Sequence, residues 1–407
     1  MAKFSIPLGP ADRLKCLYSY PNKPGSTELL ADTILHWCKQ TLARDGFAAR
    51  GAYASVRIEG SEYVLDVEGP PEMEKYRERL PQFLQHGWDA LAVIKELQDS
   101  KWKPDTPWPD WLDPPAENKL WDPRKSGQWR FFLPIGMAMI NQKSLQFFHY
   151  PPIRLLDTMR DYLNDPVPVR LIELLQANDV ASEQEAWLHS TVMDGAPIAA
   201  PDDQGTIYNP NNSREAVHLI PIDRFEIYQR AQVELLLNTS PASEEYTVPI
   251  VVYGTPARET FGKLYMKGKK VSTTKAETID TVIPGKKTPV LGSGHPYAFY
   301  AQVQAEVGSG SVLPEKWPTA VKTMIKDLVV AGWQAQMSIQ MAKNPKVDPN
   351  AVLKERQEYW TADKQKETVY ALALHQGSLL YPDPKSLEFT FALSLDEAKK
   401  RVKEMRF

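Results

Sequence analysis

The stretch TVPIVVYGTPARETFGKLY, residues 247–265, decides the fold. Val248, Ile250, Val251 and Val252 form a short apolar run without polar alternation, the pattern of a strand buried on both faces. Gly254 ends the run and the chain enters a helix. A second stretch, TPVLGSGHPYAFY at residues 288–300, reads as another strand running into a glycine-rich turn. Before them come EAVHLIPID, which is strand-like, and RFEIYQRAQVELLLNTS, which is helical. IRLLDTMRDYL and PVRLIELLQAN read as helices, and WRFFLPIGMAMI as a buried strand or helix that periodicity does not distinguish. Alternating strands and helices imply an α/β fold, a parallel or mixed sheet flanked by helices, over residues 128–305.

Outward from this core, residues 1–100 read as an N-terminal α+β domain. GSTELLADTILHWCKQTLARDG has Ser26 as N-cap and apolar residues at helical spacing. In SVRIEGSEYVLDV a two-residue turn at Gly60-Ser61 sets Val56 opposite Leu65 and Ile58 opposite Tyr63. A further helix comes next, with Pro81 marking a break or kink. Residues 101–127 form a connector in a stretch that carries Trp102, Trp108, Trp111, Trp121 and Trp129 among six prolines. It reads as a segment wrapped over a domain surface or, more sharply, as a stacking platform for single-stranded bases. Residues 306–407 are expected to be mainly helical, with Val321, Met324, Ile325, Leu328 and Val329 on one stripe and a more polar helix from about Asn350.

The whole chain has 407 residues, 43% hydrophobic and 24% charged, with a net charge of -3. That length exceeds one ordinary core. The charge excludes a uniformly basic nucleic-acid coat and requires any polyanion site to be local. Cys16 and Cys38 alone support neither a disulfide framework nor a thiolate metal cluster, so no metal or cofactor is expected. No signal-like leader and no run of eighteen apolar residues is present, which points away from membranes and towards an intracellular protein, cytoplasmic or nuclear.

In an open α/β sheet, ligands bind beyond the carboxyl ends of the strands. Three polar features fall at such ends: Asp223 after VHLIPI, Gly254-Thr255 after PIVVY, and Ser293-Gly294-His295 after TPVL. Gly292 and Gly294 permit a sharp turn and Pro296 stiffens the backbone after it, so His295 reads as a fixed donor; a solvated loop histidine is the plainer alternative. Between Arg258 and Lys287, seven lysines, among them Lys267, Lys269 and Lys270, face only Glu259, Glu277 and Asp280. Such a local excess suits phosphate contacts, or merely keeps a loop soluble. GTPARETFG lacks the Gly-Lys-Ser/Thr ending of a P-loop, and Ser293 lies in no nucleophile elbow.

HLIPIDRFEIYQRAQVELLL, VPIVVYGTPARETFGKLY and TPVLGSGHPYAFY together resemble the second half of the uracil-DNA glycosylase superfamily, over about residues 215–300. Gly294-His295-Pro296 is the element at motif grade; Tyr297 stands where that family has serine. The resemblance implies nucleic acid or a nucleobase as ligand, and N-glycosidic hydrolysis with His295 stabilising charge on the departing base. It implies a base pocket, to which the strand-end residues Gly254, Thr255, Ser293, Gly294 and Tyr297 are assigned, and a carboxylate, for which Asp223 is the candidate by its place at the sheet edge; Lys267, Lys269 and Lys270 are the phosphate-binding candidates on local charge alone. The family's water-positioning loop has no counterpart in LPIGMAMINQ, where it is expected, and His218 stands nearest the position of its asparagine. The alternative is a non-catalytic structural or assembly protein, a homo-oligomeric scaffold or coat-like subunit.

Overall fold

The computed structural model describes residues 1–10, 39, 42, 46–82, 130–131, 142–148, 190–195, 198–199, 226–239, 242–294, 317–344 and 346–364. The Trp/Pro connector, the helices expected at residues 153–163 and 168–178, and Asp223, His295 and Tyr297 lie outside them.

The N-terminal unit is a three-stranded antiparallel sheet of β1 (Ala2–Pro10), β2 (Tyr53–Glu59) and β3 (Glu62–Gly69), in the order β1-β3-β2. The expected turn forms, and Val56 pairs Leu65 while Ile58 pairs Tyr63. Phe4, Ile6, Leu65 and Val67 fill one face, and the Phe47 and Tyr76 rings meet edge-to-face at 6.0 Å. On the opposite face Asp66 accepts hydrogen bonds from Ser5 Oγ and Arg57 Nε. The alternation that made this hairpin readable is partial, since Ile58 on the apolar face is exposed and Val64 on the Asp66 face is buried. The next helix runs through Pro81 to Gln82 at the limit of the described residues.

The second sheet has five strands, β5 (Ser144–Phe148), β6 (Ser190–Asp194), β8 (Ile250–Tyr253), β9 (Glu277–Ile279) and β10 (Thr288–Ser293), in the order β6-β5-β8-β10-β9. The first four are mutually parallel and β9 is an antiparallel edge. Two of these strands, β5 and β6, were not anticipated from the sequence. In SLQFF and STVMD the apolar runs are interrupted by Ser144, Gln146, Ser190 and Thr191, all buried. Partners among neighbouring elements make this burial tolerable; between the two strands Gln146 Nε2 donates to Ser190 Oγ at 3.1 Å. Of WRFFLPIGMAMI, read as a buried strand or helix, the described residues form β4 (Arg130–Phe131), which pairs with β7 (Ile198–Ala199) outside this sheet. LPIGMAMINQ precedes β5 in the chain, which among the described residues is the first strand of this sheet.

Helices cover both faces. On one side lie α1 (Glu226–Thr239) and α2 (Thr255–Tyr265). Phe261 of α2 meets Phe147 edge-to-face at 5.5 Å, and Arg230 of α1 donates to the Leu264 carbonyl at 2.6 Å. Ser144 lies an odd number of residues from Phe147 and so faces the other way. There it receives a hydrogen bond from Gln334 of α3 (Trp317–Lys343). Trp333 Nε1 of α3 donates to the Pro349 carbonyl at 2.9 Å, seating α4 (Pro349–Tyr359). The result is helix, sheet and helix in three layers. No helix among the described residues is long and apolar enough to cross a membrane.

Candidate functional site

Chain order and spatial order of the parallel strands together locate a crevice. From β5 the chain moves outward to β6, then returns across β5 to form β8 and continues to β10. The direction of winding thus reverses between β5 and β8, and beyond the carboxyl ends of that pair an open α/β sheet leaves room for a ligand. Phe148 and Tyr253 end these two strands, stacked at 4.7 Å with an interplanar angle of 10°. Both residues are 1% exposed and close the core beneath the ends of these strands.

β8 and β10 end in register, with Tyr253 opposite Ser293. One residue further on, the Gly254 N–H donates to the Ser293 carbonyl at 3.0 Å. Gly254-Thr255 and Ser293-Gly294, separated by some forty residues of chain, are thereby brought side by side. Ser293 is buried and Gly294 exposed. His295 comes directly after Gly294 in the sequence. On the far side of the crevice Asp194 ends β6 in register with Phe148, and Gly195 N donates to the Phe148 carbonyl at 2.8 Å. Asp194 is an acid at the carboxyl edge that the sequence reading missed. Its signal was the MDG turn closing a strand that had not itself been recognised.

The lysines are arranged differently. α2 is 11 residues long, so its C-terminal end lies about 16 Å from Gly254 at 1.5 Å per residue. Lys267 stands just past that end, with a left-handed φ of 54°. Lys269 and Lys270 are already engaged, by Glu277 at 2.7 Å and Glu259 at 2.8 Å. A phosphate would have to compete with both carboxylates.

The chain then returns to the edge by close backbone packing. A side chain on Gly262 would overlap the Lys269 carbonyl. One on Gly292 would come within 2.6 Å of Arg258 Cδ and 2.8 Å of the Ser272 carbonyl. In the observed arrangement Gly292 N donates to that carbonyl at 2.7 Å and Val271 N to the Arg258 carbonyl at 3.3 Å. Thus the loop lies directly on the carboxyl end of β10.

Arg258 is the charged side chain this packing brings to the edge. Its Nη1 donates to the Val271 carbonyl and its Nη2 to Thr255 Oγ1, both at 3.2 Å. Its Nε is buried without a partner. Burial lowers the guanidinium pKa below its ordinary value, against a smaller opposing pull from Glu259. Sequence reading counted Arg258 only as the boundary of the lysine run.

Elsewhere, a cavity of about 380 Å³ between the helix at 74–82 and α1 is lined by Glu78, Arg79, Gln82, Glu234 and Asn238, and shares no residue with this edge. Among the described residues no group of three or more His, Cys, Asp or Glu gathers to hold a metal. No protein-family model, curated protein or solved structure matches the chain.

Proposed function

We propose that the chain is a nucleobase- or nucleic-acid-binding α/β protein whose ligand sits in the crevice at the carboxyl edge, and that the reaction served there is N-glycosidic hydrolysis. The observation that carries this reading is the hydrogen bond from Gly254 N to the Ser293 carbonyl at 3.0 Å. It joins the two turns beside the point where strand winding reverses, and His295 comes next in the chain. On this reading Gly254, Thr255, Ser293, Gly294 and Tyr297 border the base. His295 donates to a base carbonyl as negative charge grows on it, which a preorganised donor stabilises. A carboxylate steadies the cationic sugar or positions water; Asp194 joins Asp223 as a candidate, on the strength of its register with Phe148. After β5 the sequence continues His149-Tyr150-Pro151-Pro152, so water positioning is sought there rather than in LPIGMAMINQ.

The test is release of free base from uracil-containing and damaged single- and double-stranded oligonucleotides. His295→Ala should slow release about a hundredfold while leaving the melting temperature unchanged, the loss expected for one charge-stabilising donor. An unchanged rate would remove His295 from the mechanism. No release by the unmutated chain on any of these substrates would leave the second reading, a non-catalytic assembly protein. The ion pairs that already occupy Lys269 and Lys270 favour that alternative. Its signature is a large homo-oligomer in light scattering without bound nucleotide absorbance.

A further inference from the structure

The charge that an anionic ligand would meet at the carboxyl edge belongs to a residue the lysine count did not single out. Of the cations in this region, Lys269 and Lys270 each hold a carboxylate. Glu259, next to Arg258 in sequence, is the acid that Lys270 takes. Arg258 is left with two neutral oxygens as partners, the Val271 carbonyl and Thr255 Oγ1. Among the described residues no carboxylate lies within ion-pair distance of it.

Three features of this environment work against a bare cation. Burial disfavours the charged form, the direction in which its pKa is displaced. Its Nε is buried with no acceptor, and an unmade bond at a charged donor costs more than one at a neutral group. It also stands in the first turn of α2, where a helix favours anions over cations. A guanidinium kept under these conditions has donors to spare and a charge that Glu259 offsets only in part, without an ion pair. Its stem passes over Gly292, next to the Ser293-Gly294 turn, and its Nη2 touches Thr255, so it borders both turns of the crevice.

We infer that Arg258 anchors a phosphate group of the ligand at this edge, with the exposed Thr255 hydroxyl beside it, and that Lys269 and Lys270 instead hold the loop together. A phosphate oxygen pair matches a guanidinium's planar fork and supplies the missing negative charge. The inference deepens the proposed function by naming the group recognised at the same crevice, and it rests on that reading for the ligand's remainder. A nucleic-acid backbone and a small phosphate ester present the same group, and the experiment separates them.

The experiment titrates the full chain, Arg258→Met, Arg258→Lys and the double variant Lys269→Gln/Lys270→Gln with inorganic pyrophosphate at constant ionic strength, following thermal unfolding. Anisotropy of a labelled single-stranded oligonucleotide is measured in parallel at several salt concentrations. Arg258→Met should weaken pyrophosphate binding at least about tenfold, and the double lysine variant less than about twofold, as expected for loss of one charge-assisted fork. Arg258→Lys, keeping the charge but not the fork, should fall between. For the oligonucleotide, Arg258→Met should flatten the slope of log affinity against log salt by about 0.7, one phosphate contact on a single strand.

Should Arg258→Met fail to fold, the Lys variant decides: pyrophosphate binding weaker than that of the unmutated chain, with the double lysine variant within about twofold of it, supports the inference, and binding equal to the unmutated chain overturns it. Equal binding by all four proteins, no pyrophosphate binding by the unmutated chain, or a greater loss in the lysine variant overturns it. Failure of base release with pyrophosphate binding intact would sink the glycosidic reading and leave the anchor standing. Pyrophosphate binding without oligonucleotide binding identifies a small phosphate ester as the source.

Discussion

The two sheets of this chain bury their residues by opposite rules. In the three-stranded sheet, Leu65 and Val67 point into a core while Asp66 between them takes part in a surface hydrogen-bond network with Ser5 and Arg57. In the five-stranded sheet, Ile250, Val251, Val252 and Tyr253 are all buried, because helices lie on both faces. The first sheet is built largely from a local hairpin. The second draws its parallel strands from segments spread over residues 144–293. Only the second has loops from distant parts of the chain converging at one edge, which is why the candidate site falls there and not on the hairpin.

The largest expected effect separates the two cores. Phe147→Ala removes a fully buried ring packed on Phe261 and should cost about 4 kcal/mol; Leu65→Ala should cost about 3 kcal/mol. Hydrogen exchange should then rise across β5, β6, β8 and β10 in the first variant and across β1, β2 and β3 in the second. Uniform acceleration in both would break the comparison and make the chain one cooperative unit.

A smaller effect probes the returning loop. Gly262→Ala forces a methyl against the Lys269 backbone, which cannot swing aside as a side chain would, and should cost about 2 kcal/mol by chemical denaturation. Exchange protection should fall first in residues 266–276. A neutral substitution would mean that this loop is not seated as described.

The smallest effect is a matter of pH. The Tyr265 hydroxyl is buried without a partner, and desolvation raises its pKa above that of an exposed tyrosine. Its contribution is fully present below the unfolded value near 10 and is lost as pH rises through the higher folded value, because the unfolded chain ionises first. Tyr265→Phe should therefore leave stability at pH 7 within about 1 kcal/mol, since no hydrogen bond is lost. It should also flatten the alkaline decline; an unchanged slope above pH 10 would show that this phenol does not contribute.

Legibility in the sequence obeys the same division. The register of β2 against β3 was readable from Gly60-Ser61 because turn chemistry and alternation are both local. β8 and β10 were readable because their runs are uninterrupted and end at glycine. β5 and β6 were hidden because buried polar residues break their apolar runs, and the hydrogen bond from Gln146 to Ser190 across the strands is invisible along the chain. Asp194 was lost with its strand. The lysine cluster looked free because Glu259 lies eleven residues before Lys270, and only the helix and its return loop bring them together.

One side chain that meets the end of the returning loop has a consequence for how copies of the chain behave. Asn350 of α4 receives the Ala276 N–H at 3.0 Å and donates to the Ala276 carbonyl at 2.9 Å. A single amide thus fills both valences of the backbone at the start of the outermost strand, as a neighbouring strand would. Because that amide belongs to a helix, it offers no further row of donors and acceptors to the next molecule. At this residue the sheet is closed by a group that cannot propagate, so stacking of one molecule's edge on another's would first have to pull α4 away.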